Sequence, residues 1–169
     1  MTRDGLPERV VALLREHLER EAAEGRLTVL GFRGSAADVL LASEWKETIA
    51  ATLWVGERSL RAEAFFLRAP EDPAGPAYRV LLERNLRPGA WRFAASEAGD
   101  VWLIAEIPLP AVDAEVLDRL LGGLLALTDE TYRPYFRLAF GAALAEQEAR
   151  GGPGLDSPPP WAREETPGP

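Results

Sequence analysis

The 169-residue chain contains no cysteine, one histidine (His17) and one lysine (Lys46). The first absence excludes disulfides, thiolate nucleophiles, cysteine-ligated zinc and thioether-linked haem. A single histidine leaves any Ser-His-Asp arrangement one possible base, and there is no G-x-S-x-G motif to present a serine to it. His17 falls near the edge of the apolar stripe of an N-terminal helix, which predicts a partly buried or surface histidine rather than a catalytic one. Neither G-x-G-x-x-G nor G-x-x-x-x-G-K-[ST] occurs, so the usual phosphate cradles are missing and no nucleotide cofactor is implied. Metal and cofactor are both expected to be none. The longest apolar run, Leu120 to Leu127, is far shorter than the ~20 residues of a membrane span. The start, Met-Thr-Arg-Asp-Gly-Leu-Pro-Glu, lacks the apolar core of a secretory signal, and the reading is therefore cytoplasmic.

The chain is rich in charge of one sign. Against 19 basic residues stand 27 acidic ones, for a net charge of −8. That balance opposes binding to a phosphate backbone, so nucleic acid is not expected as a direct partner. With 47% apolar and 27% charged residues, composition is that of one globular domain, expected over residues 1–150. Ten of the nineteen residues from 151 to 169 are Gly or Pro, which predicts a disordered tail. Within it Trp161 follows three prolines, a possible docking element for an aromatic groove.

Periodicity divides the rest. Pro7 opens a helix in which Val10, Val11, Leu13, Leu14 and Leu18 recur at helical spacing, ending near Gly25. From Arg26 to Arg68, short Val-, Leu- and Thr-rich segments punctuated by glycine predict three or four antiparallel strands. The clearest hairpin joins Thr48–Val55 to Arg58–Arg68 across Gly56-Glu57, where glycine is expected to supply a positive φ. Tyr78, Leu81, Leu82 and Leu86 define the buried side of a second helix, with Asn85 as a left-handed cap. Trp91–Ala95 and Val101–Ile107 form a second hairpin. Asp113 is the N-cap of a third helical region, with Leu117, Leu120, Leu121, Leu124 and Leu125 as its stripe. Gly122-Gly123 predicts close packing there, and Pro134 a break or restart.

Strand parity carries the functional reading, because successive side chains point to opposite faces. Leu60, Ala62, Ala64 and Phe66 suit a core, as do Val101, Leu103, Ala105 and Ile107. The other face then carries Trp54, Phe65, Trp102 and Ile104 beside Arg61, Glu63 and Glu106. This mixture is too apolar for plain solvation and too charged for a closed core, and it has the composition of a partner-binding surface. The competing reading is a second core layer under a helix. Tyr132, Tyr135, Phe136 and Phe140 are core residues or, alternatively, a dimer interface.

The segments Ala64 to Glu71, Tyr78 to Arg87, Gly99 to Leu103, Ile107 to Pro110 and Glu115 to Gly122, with the Leu-Leu-Glu-Arg-Asn-Leu block at 81–86, resemble the bacterial YbjN-domain family. That family is labelled a group of sensory transduction regulators, similar in fold to type III secretion chaperones. The resemblance implies an α-β-β-β-α-β-β-α layout and a non-enzymatic, commonly dimeric protein that binds partner polypeptides, with no catalytic residues to transfer. The expectation is thus an α+β fold, a twisted antiparallel sheet with helices packed on it, acting as a chaperone-like homodimeric regulator. The alternative function is a small-molecule sensor or enzyme with a pocket between the third helix and the sheet.

Overall fold

Alternating apolar residues across short turns produce a four-strand meander, and in the computed structural model, which describes residues 5–151, that meander is the larger part of the sheet. Helix α1 (Leu6–Ala23) is followed by β1 (Thr28–Arg33), β2 (Ala36–Ser43), β3 (Glu47–Val55) and β4 (Ser59–Leu67). Then come α2 (Ala77–Arg84), β5 (Arg92–Ala95), β6 (Val101–Pro108), a 3-10 turn at Leu109–Ala111, α3 (Ala114–Ala139) and α4 (Gly141–Ala149). The six strands form one sheet in the order β1-β2-β3-β4-β6-β5, and every neighbouring pair is antiparallel. The fold is α+β as expected, with four strands rather than three before α2 and two helices at the end.

One sheet face is closed. Val39, Leu41, Ile49, Leu53, Leu60, Phe66 and Leu103 point into a core shared with Val10, Leu14 and Leu18 of α1 and Leu117, Leu120 and Leu124 of α3. Fully burying such a side chain contributes about 1.5–3 kcal/mol, so the face-forming alternation of the strands is the main stabilising pattern. Phe66 sits at a bulge, where register passes from Phe65↔Trp102 to Leu67↔Val101. The extra residue bends the strand and keeps Phe66 inward while Phe65 stays outward.

Several local expectations change in three dimensions. The β3–β4 connection is the three-residue loop 56–58, closed by a hydrogen bond from the Gly56 N–H to the Ser59 carbonyl (2.9 Å), and Gly56 has no positive φ. Helix α2 stops after eight residues, leaving Leu82 and Leu86 64% and 86% exposed, so only Leu81 of that stripe is core. Asn85 is right-handed rather than left-handed. Its side-chain amide instead serves β5: Nδ2 donates to the Phe93 carbonyl (3.0 Å) and Oδ1 accepts from the Phe93 N–H (2.8 Å). Pro134 does not break α3, which runs through it on an exposed side while Thr131, Tyr135 and Ala139 stay buried. Gly123 does meet a close neighbour: a Cβ there would lie 3.6 Å from the Trp91 ring, whose Nε1 donates to the Leu120 carbonyl (2.7 Å). Gly122 has no such neighbour. Asp113 is the N-cap, accepting from the Val116 N–H at 2.8 Å.

No helix among the described residues is long and apolar enough to cross a membrane. The expected tail from 151 onward, with Trp161, lies outside the described residues apart from Gly151.

Candidate binding face

Register lines up the outward-facing residues in rungs. One rung is Ala36, Trp54, Arg61 and Glu106; the next is Asp38, Thr52, Glu63, Ile104 and Arg92; the third places Phe65, Trp102 and Ala94 side by side. Every member of the expected set, Trp54, Arg61, Glu63, Phe65, Trp102, Ile104 and Glu106, therefore falls on one face of the sheet. None of them is buried: Ile104 is 44% exposed, Arg61 and Glu106 are exposed, and the others are half-buried. Among the described residues α1 and α3 pack on the opposite face, so the reading of this face as a second core layer does not hold there.

The face has a hydrophobic and a polar half. Phe65 and Trp102 meet edge to face with ring centroids 5.3 Å apart, a geometry that adds about 0.5–1.5 kcal/mol beyond burial. The Lys46 ammonium, reaching over from the β2–β3 turn, lies 5.8 Å from the Phe65 ring, and burial lowers its pKa from the ordinary lysine value. At the other end the Ser59 hydroxyl donates to Glu106 (2.6 Å) and Arg61 Nε lies 3.4 Å from the same carboxylate. The Ser59 hydrogen bond, aided by the Arg61 charge, holds the Glu106 carboxyl below its usual value. Between them Thr52 donates to Asp38 (2.8 Å), which also takes Arg33 at 2.6 Å.

Phe65 has a second role that strand parity does not show. Its ring, with Leu67 and Arg68, forms one wall of a groove of about 390 Å³ whose other wall is Phe136, Phe140, Ala143 and Leu144. Two sets of residues singled out separately in the sequence thus meet in one apolar surface at the end of β4. Of the candidate dimer residues, Tyr135 drops out: it is fully buried, tilted against Phe66 at 5.8 Å, and burial pushes its hydroxyl up to about 12. Tyr132 is half-buried, edge-on to Phe66 at 6.1 Å. Phe136 and Phe140 are half-buried, their rings tilted against each other at 5.0 Å. The residues missed from the sequence are Leu67, Arg68 and Leu144, together with Lys46 and Ser59 at the rim. Parity marks Ser59 as outward, but nothing local says that α4 passes beside β4.

His17 is 1% exposed, deeper than expected, and lies between α1 and α3. Arg20 donates to its Nδ1 (2.8 Å), which fixes the proton on Nε2, 3.3 Å from Asp118. Glu21 lies within 4.8 Å of both, a spacing that suits a metal ion. The donor set does not fit one: Arg26 holds both Glu21 oxygens at 2.5 and 2.6 Å, and a second guanidinium occupies the imidazole. The cluster is a polar clasp between helices.

Comparison with solved structures defines the fold class. A chain of the HopA1–SchA chaperone–effector complex superposes with a TM-score of 0.55 at 16% identity, over 79% of this chain and 98% of that one. A chain of the ExsC–ExsE complex gives 0.54 at 21% identity, over 73% and 93%. The fold is the type III secretion chaperone-like α+β fold. No protein-family model matches. In sequence the chain is 36% identical over 109 residues to the uncharacterized protein Rv0487 of Mycobacterium tuberculosis, covering 64% of this chain, and 31% identical over 97 residues to ML2442 of Mycobacterium leprae, covering 57%. The chain matches 60% and 53% of the length of these relatives.

Proposed function

We propose that this protein is a non-enzymatic, chaperone-like binding module of the YbjN type, whose single domain over residues 1–150 holds a partner polypeptide on the open sheet face. The observation that carries the reading is that face itself: an aromatic half, Phe65 with Trp102 and Ile104, runs into the Phe136/Phe140 groove and is bordered by Arg61, Glu63 and Glu106. A polypeptide lying across it gains apolar contact from the rings, while the charged rungs set its direction and reject partners of the wrong charge pattern. The fold supports this reading, because structures of similar fold have been solved as a chaperone–effector complex and as the ExsC–ExsE complex. In this account the protein works in the cytoplasm as a homodimer, with the outward side of α3 around Tyr132, Phe136 and Phe140 as the subunit contact.

The test uses the full chain as bait in its native lysate, beside a Trp54→Asp/Trp102→Asp variant. The expected result is a near-stoichiometric polypeptide retained by the native chain and lost from a variant with unchanged far-UV circular dichroism. Collapse of the variant would make the face structural, and retention of the partner would move binding elsewhere. Light scattering of Phe136→Asp/Phe140→Asp reads the dimer, whose mass is expected to halve; because both rings also line the groove, partner retention is scored on Trp54→Asp/Trp102→Asp alone.

A further inference from the structure

Beside the β5 edge of the sheet, the C-terminus of α2, the 85–91 loop, Phe93 of β5, Ile107 of β6 and α3 line a cavity of about 580 Å³. That volume is within the range of small-molecule sites. Its floor is apolar, formed by Trp91, Phe93, Leu120 and Leu127, and the Trp91 N–H is already committed to the Leu120 carbonyl. Its rim is cationic. Arg84, Arg87 and Arg119 line it with one carboxylate, Glu130, in a chain whose net charge is −8.

The arginines are arranged for a carboxylate. Arg84 and Arg87 both hold Glu130, the latter at 3.0 Å, so two guanidiniums already converge on a single carboxylate group. Glu130 is half exposed, whereas the Arg84 side chain is only 19% exposed. Arg84 Nε is buried without a hydrogen-bond partner. A charged donor left unmade is costly, and an anionic acceptor at the rim removes that cost. Arg119, across the rim, is tied among the described residues to Glu115 one turn away on its own helix.

We propose that this cavity binds a small amphipathic carboxylate, its hydrocarbon or aromatic body on the Trp91/Phe93/Leu120 floor and its head on Arg84, Arg87 and Arg119. The ligand's carboxylate displaces Glu130 and turns one oxygen to the Arg84 Nε that Glu130 leaves unbonded. The proposed contacts, Trp91, Phe93, Leu120 and the three arginines, are not among the candidate residues of the sheet face, so either can fail without the other.

The probe is decanoate, titrated calorimetrically into the full chain, with acetate (head alone) and decan-1-ol (body alone) as comparators. Saturable one-to-one binding of decanoate is expected, with both comparators at least tenfold weaker. Arg119→Gln, an exposed change that leaves the α2–α3 ties intact, and Arg84→Gln should each weaken decanoate about tenfold. Ala126→Trp, on an exposed wall of the cavity, should abolish binding and the ligand-induced rise in Tm without altering the unliganded Tm. Trp54→Asp/Trp102→Asp should bind decanoate normally. Absence of saturable binding, indifference to Arg119→Gln and Ala126→Trp, equal binding of decan-1-ol, or loss in the sheet-face variant would each overturn the proposal.

Discussion

Asn85→Ala isolates a contact that no strand or helix pattern supplies. Strand β5 is four residues long and lies at the sheet edge, where unpaired backbone groups normally face water or another chain. The Asn85 amide closes that edge by exchanging two hydrogen bonds with Phe93, at 2.8 and 3.0 Å, as a neighbouring strand residue would. Each neutral hydrogen bond contributes about 0.5–1.5 kcal/mol net, and both groups here are partly buried, so removing the pair should cost about 2 kcal/mol. For a domain of this size that is a fall in Tm of about 4–8 °C. Urea unfolding gives the free energy and a thermal scan the Tm, while amide exchange at Phe93 should accelerate selectively. Asn85→Asp should be at least as damaging, because it keeps the acceptor but turns an oxygen toward the Phe93 carbonyl. A loss below about 0.5 kcal/mol with an unchanged denaturant slope would refute the edge-clasp reasoning.

Four further outcomes follow from single sites. The Tyr135 hydroxyl is buried without a hydrogen-bond partner among the described residues, so Tyr135→Phe should be neutral or stabilise by about 1 kcal/mol in urea unfolding; a destabilised variant would mean the hydroxyl is satisfied. Asp113→Ala should cost about 1 kcal/mol by removing the α3 N-cap, read in the same assay. Burial, assisted by Arg20 and Arg26 and opposed by Asp118 and Glu21, lowers the His17 pKa in the folded state. The unfolded chain then binds the extra proton first, so stability should fall as pH drops below about 6.5 toward the folded pKa, and His17→Gln should flatten that part of the profile. Glu21, held low chiefly by its Arg26 hydrogen bond, adds stability that persists above its ordinary value and is lost only at lower pH.

Strand parity proved the most legible feature. It assigned both faces of β3, β4 and β6, because a period of two leaves no choice once one face is apolar, and so it placed Trp54, Arg61, Glu63, Phe65, Trp102, Ile104 and Glu106 on one face. Helical periodicity did less well where tertiary context decides. Leu82 and Leu86 fit a stripe, but α2 ends at Arg84 and Asn85 is drawn to Phe93, a contact eight residues on that no helical pattern encodes. Pro134 is tolerated because it faces solvent while its neighbours Thr131 and Tyr135 hold α3 to the core. His17 is buried because Asp118, from a helix a hundred residues away, lies over it. The groove at Phe65 depends likewise on where α3 and α4 pass relative to β4, a matter of packing across seventy residues.

The most direct test of the binding-face account is site-specific photocrosslinking with the intact chain in its native lysate. A photoreactive residue at Ile104, 44% exposed at the centre of the sheet face, is compared with one at Leu82, 64% exposed on α2. The account predicts a discrete polypeptide adduct from position 104 and none from position 82. Adducts from position 82 alone, or the same adduct from both, would contradict it.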